Sequence, residues 1–154
     1  MVTVEVPSEY GYVILTALST VFLGVWHGLR VNTFRKAAGI PYPYEYASYE
    51  QTTTAPPAKQ KAMYLFNCAQ RAHQNYNENH PSALAMILVA GVGYPLSTTA
   101  FGLFWAVNRA IYAVGYTKPD LERGKGRYRG AGWYLGVLGL AGLTVKTGVD
   151  MLLA

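Results

Sequence analysis

Long apolar stretches separated by polar segments dominate the pattern of this chain. Residues 10–29 contain no Lys, Arg, Asp or Glu, and about 20 such residues cross a bilayer as one helix. Three further stretches are also mostly apolar: residues 82–94, 98–116 and 130–154. The pattern predicts an all-α integral membrane protein, a four-helix bundle with spans at about residues 10–31, 61–94, 98–117 and 130–153.

The second span needs more than its apolar core. Residues 82–94 number 13, which gives roughly 20 Å of helix and is too short to cross a bilayer. A polar block occupies residues 70–80 immediately upstream. One continuous helix over residues 61–94 is long enough, with its polar block buried in the bundle or at its mouth, and Pro81 predicts a kink within it.

A signal peptide is the alternative for the first span. A secretory signal begins with a positively charged segment, whereas residues 1–9 contain no basic residue and two acidic ones, Glu5 and Glu9. We therefore favour a membrane span.

Three connections separate the four spans. Residues 32–60 form a loop rich in Pro and Tyr, residues 95–98 a tight turn, and residues 117–129 a basic loop with two glycines. In the last span, Lys146 and Asp150 are one helical turn apart and can pair at the membrane rim. A length of 154 residues predicts a single domain over residues 1–154.

Composition supports a membrane protein. Charged residues make up 14% of the chain, against about 25% in soluble domains, and this excludes a disordered, highly charged chain. The single cysteine, Cys68, cannot form an internal disulfide, and no zinc-binding spacing is present.

The basic residues sort with the loops. Ten of the 13 Lys and Arg residues fall at or in the first and third connections, and none falls at the N-terminus or in the second. Positive charge marks the cytosolic side of a membrane protein, so both termini should face the other side. Since these basic loops lack an aromatic platform and flank spans, we expect no nucleic-acid partner.

A polar stripe lies within the second span. At 100° per residue, Arg71, Asn75 and Glu78 fall within about 60° of each other, and His73 points roughly the opposite way. Ionisable residues inside spans usually have a function. A second polar face at His73 suggests that another subunit packs there. The alternative is an Arg71–Glu78 ion pair that only holds helices together.

A second stripe lies on the third span, where Arg109, Tyr112 and Tyr116 share a face. Arg129, at the start of the fourth span, should lie at the same level of the membrane as both stripes. Tyrosines at this depth are also common as interfacial belt residues. The combined Arg, amide, phenol and carboxylate groups fit a small zwitterion with two carboxylates and one amine, such as glutathione.

Two other ligand classes fit less well. A phosphate would suit the arginines but not Glu78. His73, Glu78 and His80 diverge in helical phase, so we expect no metal site. Arg127, on the basic loop, is expected to be a solvated charge.

The stretch Phe-Asn-Cys-Ala-Gln-Arg-Ala-His-Gln-Asn at residues 66–75, followed by Glu78 and Pro81, resembles the signature of the MAPEG family. These are membrane-associated proteins of eicosanoid and glutathione metabolism, and within them the chain resembles microsomal glutathione transferases of type three. Residues 9–13, 109–116 and 127–131 carry weaker parts of the resemblance. It extends over the whole chain, with an expected insertion near residues 51–59.

The resemblance implies a homotrimer of four-helix subunits that binds glutathione between neighbours near the cytosolic face. One side of the pocket would be formed by Arg71, Asn75, Glu78, Tyr112 and Tyr116. The neighbouring subunit would contribute Arg35, His73 and Arg129. Arg129 matches the arginine that stabilises the glutathione thiolate. Lys36 stands at a second arginine position, and Asn79 stands where a related synthase has a tyrosine that contacts glutathione.

The resulting expectation is a glutathione transferase with peroxidase activity in the endoplasmic reticulum membrane, with its site toward the cytosol. The outer mitochondrial membrane is a second possible location. Glutathione is the cosubstrate, no metal is required, and the acceptor is a hydrophobic electrophile or a lipid hydroperoxide. Two alternatives remain: a non-catalytic lipid-binding partner protein on the same fold, and an assembly factor whose stripes only join helices. Glutathione binding separates the enzyme from both.

Overall fold

The computed structural model describes residues 6–153, with Glu122 described by its backbone alone. It is 84% helical, and no strand occurs in this described range, so the predicted all-α class is confirmed. The helices are α1 (Tyr10–Ala38), α2 (Tyr49–Thr54), α3 (Pro57–Gly93), α4 (Pro95–Tyr116) and α5 (Trp133–Leu153), with a 3-10 segment at Glu122–Gly130.

Helix α1 continues seven residues beyond the predicted end of the first span at residue 31. Arg35 and Lys36 occupy its last turn, where positive charge is favourable beside the free carbonyl groups. Gly39, with φ of 64°, then ends the helix, and its N–H donates to the carbonyl of Lys36 at 3.2 Å. A left-handed glycine at this position is a common helix terminator. Arg30 therefore lies inside α1 rather than at the edge of a loop.

Helix α3 runs without interruption through Pro81 for 37 residues, a length of about 55 Å. The short apolar stretch and the polar block thus belong to one helix, as the sequence predicts. Residues 95–98, predicted as a tight turn, instead form the first turn of α4, because Pro95 takes the first helical position.

Two connections hold more structure than predicted. The loop at residues 32–60 contains α2, which Ser48 and Gln51 cap reciprocally at 3.1 and 2.9 Å. The basic loop at residues 117–129 folds largely into the 3-10 segment, where Arg123 and Gly124 adopt positive φ. The Gly124 N–H donates to the Tyr64 hydroxyl at 2.6 Å.

The chain divides into two compact units. The apolar unit comprises Asn79–Asn108 and the described parts of Met1–Phe22 and Gly132–Ala154. The polar unit comprises Leu23–Glu78 and Arg109–Ala131. Helices α1, α3 and α4 each contribute one segment to each unit.

The apolar unit packs through small residues. Its core consists of Val13, Ala17, Ile87 and Leu140. A Cβ on Gly136 would lie 2.8 Å from the Trp105 Cβ, so the α4 and α5 backbones approach closely at this point. Close approach at small residues is typical of helix packing in membranes.

The polar unit packs the end of α1 and the following loop against α3. Its core contains Val31, Ala38, Ile40, Ala47, Met63, Phe66 and Ala69. A Cβ on Gly115 or on Gly126 would overlap the backbone of the other residue, so the end of α4 is held tightly against the 3-10 segment. Arg30 donates to the Thr117 hydroxyl at 2.7 Å and ties α1 to the end of α4.

Two helices, α1 and α5, are long and apolar enough to cross a membrane. Many of their large side chains are exposed, among them Ile14, Leu15, Phe22, Leu29, Leu135 and Leu138. Exposed apolar surface of this extent indicates a lipid or protein environment. The other two predicted spans lie in α3 and α4, which have 37 and 22 residues and are long enough to cross a membrane. Neither meets the criterion of composition that α1 and α5 meet.

Candidate functional site

The structure brings Arg71, Asn75 and Glu78 together on one face of α3. The Arg71 guanidinium donates to both carboxylate oxygens of Glu78, at 2.7 and 3.2 Å. The Asn75 amide donates to the same carboxylate at 3.3 Å. The Arg71 and Glu78 side chains remain 43% and 47% exposed. Because exposed pairs contribute little to stability, each charge can exchange its partner for a ligand at small cost.

A buried arginine stands behind this stripe. Arg109 on α4 is 0% exposed and donates from Nη2 to the Asn75 side-chain oxygen at 2.9 Å. Its guanidinium lies 4.9 Å from the centre of the Tyr112 ring and 5.8 Å from that of Tyr76. Arg109 therefore sets the orientation of the Asn75 amide, whose nitrogen then points to Glu78.

Tyr112 and Tyr116 continue the site along α4. Their rings meet edge to face with centroids 5.6 Å apart, and both are half-buried. The Arg127 guanidinium lies 5.3 Å from the Tyr116 ring centre and donates to the carbonyl oxygens of Arg123 and Gly124. The expectation that Arg127 is only a solvated charge is wrong, because it fixes the 3-10 segment over Tyr116.

His73 does not join the stripe, as its helical phase predicts, but its surroundings differ from the expectation. Its ring stacks 6.0 Å from the ring of His27 on α1, and His27 in turn stacks on Tyr76 at 4.7 Å. Its Nε2 lies 3.3 Å from the Asn77 amide nitrogen. The second polar face of α3 therefore meets α1 of the same chain, so it does not by itself require a second subunit.

Arg35 lies away from the stripe and is 7% exposed. Its guanidinium sits 4.5 Å from the Tyr42 ring centre and 4.7 Å from that of Phe66. Its Nη1 donates to the carbonyl of Tyr44 at 2.6 Å. In its own chain, Arg35 holds the loop that follows α1.

Arg129 is exposed and lines a cavity of about 280 Å³ with Lys118 and apolar residues of α4: Ala110, Ile111, Val114 and Gly115. These positions belong to a different face of α4 from Arg109, Tyr112 and Tyr116. A single chain therefore does not bring Arg129 into the stripe, and the expectation that a neighbouring subunit contributes it stays a prediction.

Two residues near the candidate site, His27 and Tyr46, were not predicted from the sequence. His27 is a buried ionisable residue within the first predicted span, and that position alone is a signal of function. Tyr46, in the loop after α1, donates its hydroxyl to the Gln74 side chain at 2.5 Å. Burial raises the pKa of Tyr46, against the opposing effect of the nearby Arg71 charge. No periodicity in the loop could have indicated this placement.

The arrangement suits a ligand that carries charges of both signs. Arg71 offers two parallel donors for a carboxylate, Glu78 accepts from an ammonium group, and the Asn75 amide and the Tyr112 and Tyr116 hydroxyls can bond to neutral polar groups. Within residues 6–153, no three His, Cys, Asp or Glu side chains come close enough to share a metal ion.

The comparison with known families agrees with these features. The model of the MAPEG family matches residues 13–149, a range that includes every predicted site residue. Family membership and the two apolar helices together indicate a membrane protein. A helical chain with an accessible Arg–Asn–Glu stripe, matched over most of its length by this model, belongs to the MAPEG family.

Proposed function

We propose that the protein is a membrane-bound glutathione transferase with peroxidase activity. The observation that carries this proposal is the accessible Arg71–Glu78 pair, supported by the hydrogen bond from the buried Arg109 to Asn75. Glutathione has two carboxylates, one ammonium group and two amides. It could pair a carboxylate with Arg71 and the ammonium group with Glu78 while the buried layer stays unchanged.

We further propose that four-helix subunits assemble as a homotrimer, each chain being a single domain over residues 1–154, with the site shared between neighbours. The placement of Arg129 supports this arrangement. It lies beside a different face of α4 from the one that carries Tyr112 and Tyr116, so the stripe of one subunit and the Arg129 of another could enclose one ligand. For Arg35 and His73, contacts within their own chain favour a supporting role over direct ligand contact.

The chemistry proposed for Arg129 is stabilisation of the thiolate. A free thiol has a pKa of about 8.5 and is mostly protonated at neutral pH. A guanidinium beside the sulfur favours the anion, which is the nucleophile. The apolar cavity next to Arg129 suits a hydrophobic acceptor. Attack on an electrophilic carbon forms a thioether: an aryl halide releases its halide ion, and an epoxide C–O bond breaks to leave an alkoxide that takes up a proton.

The peroxidase reaction begins with attack of the thiolate on the terminal oxygen of a lipid hydroperoxide. The O–O bond breaks, and the products are a lipid alcohol and the sulfenic acid of glutathione. A second glutathione then gives the disulfide and water. The hydroperoxide is reduced and two glutathione molecules are oxidised, so the step needs no metal.

The location that we propose is the endoplasmic reticulum membrane with the site toward the cytosol, and the outer mitochondrial membrane is the second candidate. The segregation of basic residues supports the orientation.

The test is glutathione binding by the purified protein in detergent, measured by calorimetry, together with turnover of an aryl halide, a lipid hydroperoxide and an allylic epoxide. We expect saturable binding and consumption of glutathione with at least one acceptor. Folded protein that binds no glutathione would favour the non-catalytic or assembly alternatives.

A further inference from the structure

The loop after α1 is fixed from two sides. Arg35 of α1 donates to the Tyr44 carbonyl at 2.6 Å. The Asn67 side chain of α3 both accepts from the Ala47 N–H at 2.8 Å and donates to the Ala47 carbonyl at 2.9 Å. Two contacts to the backbone, on either side of residue 46, leave that residue little freedom to move.

This fixed loop holds the Tyr46 hydroxyl at the edge of the stripe. The hydroxyl donates to Gln74 Oε1 at 2.5 Å, and Arg71 Nη1 lies 3.5 Å from the same oxygen. Gln74 therefore stands between the phenol and the guanidinium. The Tyr46 hydroxyl and the Arg71 guanidinium both face this one neutral acceptor. They could therefore donate to a ligand in its place, even though Arg71 also donates to Glu78.

A carboxylate that binds Arg71 would compete with Gln74 for these donors. Hydrogen bonds to an ionised acceptor are roughly twice as strong as those between neutral groups. A tyrosine hydroxyl is protonated at neutral pH and able to donate, and burial raises the pKa of Tyr46 further. Gln74 is exposed, so its side chain can turn to solvent when it is displaced.

We propose that Tyr46 is a further ligand-binding residue of the site, whose hydroxyl exchanges the Gln74 oxygen for a carboxylate of glutathione held by Arg71. Arg35 and Asn67 are then positioning residues, because they place Tyr46 without touching the ligand. This inference rests on the proposed function, since it names a residue for the same ligand.

The first test compares three variants in glutathione affinity, measured by calorimetry on the detergent-purified protein. Tyr46→Phe removes only the hydroxyl, and we expect affinity to fall about tenfold, as for one hydrogen bond to a charged group. Tyr44→Phe is the matched control, because Tyr44 lies two residues away in the same loop with its side chain 64% exposed. It should bind as the wild type does.

Gln74→Ala separates ligand contact from loop support. If the hydroxyl serves only to hold the loop through Gln74, both variants should weaken binding equally. If it turns to the ligand, Gln74→Ala should bind glutathione as tightly as the wild type or more tightly. Loss of affinity in Gln74→Ala equal to that expected for Tyr46→Phe would overturn the inference, and this comparison holds even if Tyr46→Phe does not fold.

A second test identifies the group that Tyr46 contacts. The glycine monoester and the glycine amide of glutathione keep the length of the tripeptide but have the glycine carboxylate neutralised. If Tyr46 contacts that carboxylate, Tyr46→Phe should cost little with these two ligands and about tenfold with glutathione. An equal tenfold loss with all three assigns the contact to the carboxylate of the γ-glutamyl group.

The two proposals fail in different ways. Wild-type protein that binds no glutathione overturns the proposed function and this inference together. Wild-type protein that binds glutathione, with Tyr46→Phe equal to it, overturns the role of Tyr46 alone.

Discussion

The two units each carry an exposed ion pair on a single helix, and the pairs look alike in isolation. In the polar unit, Arg71 and Glu78 approach to 2.7 Å with side chains 43% and 47% exposed. In the apolar unit, Lys146 and Asp150 approach to 2.9 Å with side chains 57% and 48% exposed. Distance and exposure alone therefore do not show which of the two pairs belongs to a candidate binding site.

What surrounds each pair does distinguish them. Lys146 and Asp150 both contact Tyr94, whose hydroxyl donates to Asp150 and whose ring centre lies 4.9 Å from the Lys146 Nζ. Behind Arg71 and Glu78 stands a layer of polar residues that includes Asn75 and the buried Arg109. A pair becomes a candidate site when buried neighbours orient it while the charges stay accessible.

The units also differ in charge. The polar unit contains 12 of the 13 Lys and Arg residues and five of the eight acidic residues, a net charge of +7, whereas the apolar unit has a net charge of −2. This contrast strengthens the argument for orientation, because the basic loops all belong to one unit.

Labelling of introduced cysteines tests this contrast and should give an all-or-none result. In a Cys68→Ala background, a cysteine at Thr53 should react with an impermeant reagent in sealed microsomes whose cytosolic face is outward. A cysteine at Ser97, in the first turn of α4, should react only after permeabilisation. The opposite pattern would reverse the orientation.

Removal of Arg129 should have the largest effect on catalysis. Arg129→Ala should lower kcat about 100- to 1000-fold, as when a charge-stabilising donor is lost, and leave glutathione affinity nearly unchanged. The bound thiol should titrate at higher pH, which ultraviolet thiolate absorbance against pH measures.

Lys118→Ala is the matched control for Arg129, since Lys118 lines the same cavity and should leave the titration unchanged. An unaltered titration in Arg129→Ala would assign thiolate stabilisation to another group. Arg127→Ala is a poor control, because Arg127 fixes the 3-10 segment.

Neutralising one acid in each ion pair tests whether only the Arg71–Glu78 pair binds glutathione. Glu78→Gln should weaken glutathione binding about 10- to 100-fold, because an ammonium group loses its charged acceptor. Asp150→Asn removes the same kind of charge in the apolar unit and should leave binding unchanged. Calorimetry on both variants, with the oligomeric state checked by size exclusion, decides the matter. Equal affinities in the two would reduce the Arg71 stripe to a packing feature.

A substitution at a tightly packed glycine tests whether the apolar unit contributes to stability without contributing to glutathione binding. Gly136→Ala places a methyl group against Trp105 and should destabilise the fold by about 1–3 kcal/mol. Gly142→Ala, on the same helix with open space around it, should be neutral or slightly stabilising. Thermal unfolding in detergent measures both. Glutathione affinity of folded Gly136→Ala should match the wild type.

Much of the fold follows from local properties. A helix has a fixed angular period, so the shared face of Arg71, Asn75 and Glu78 and the opposite phase of His73 could be predicted from spacing. The unbroken helix through Pro81 followed from the length that a span requires. The family also followed from the residues around Arg71, because a linear motif does not depend on tertiary contacts.

Tertiary structure decided which neighbours these faces meet. His73 stacks on His27 of another helix, and Arg35 is buried between two rings. Arg129 lines a cavity beside a face of α4 that does not carry the stripe. Tyr46 reaches the stripe only because a loop without periodicity folds back onto α3. Angular period sets which residues of one helix lie together. Contacts between elements depend on packing of the whole chain, which no local pattern encodes.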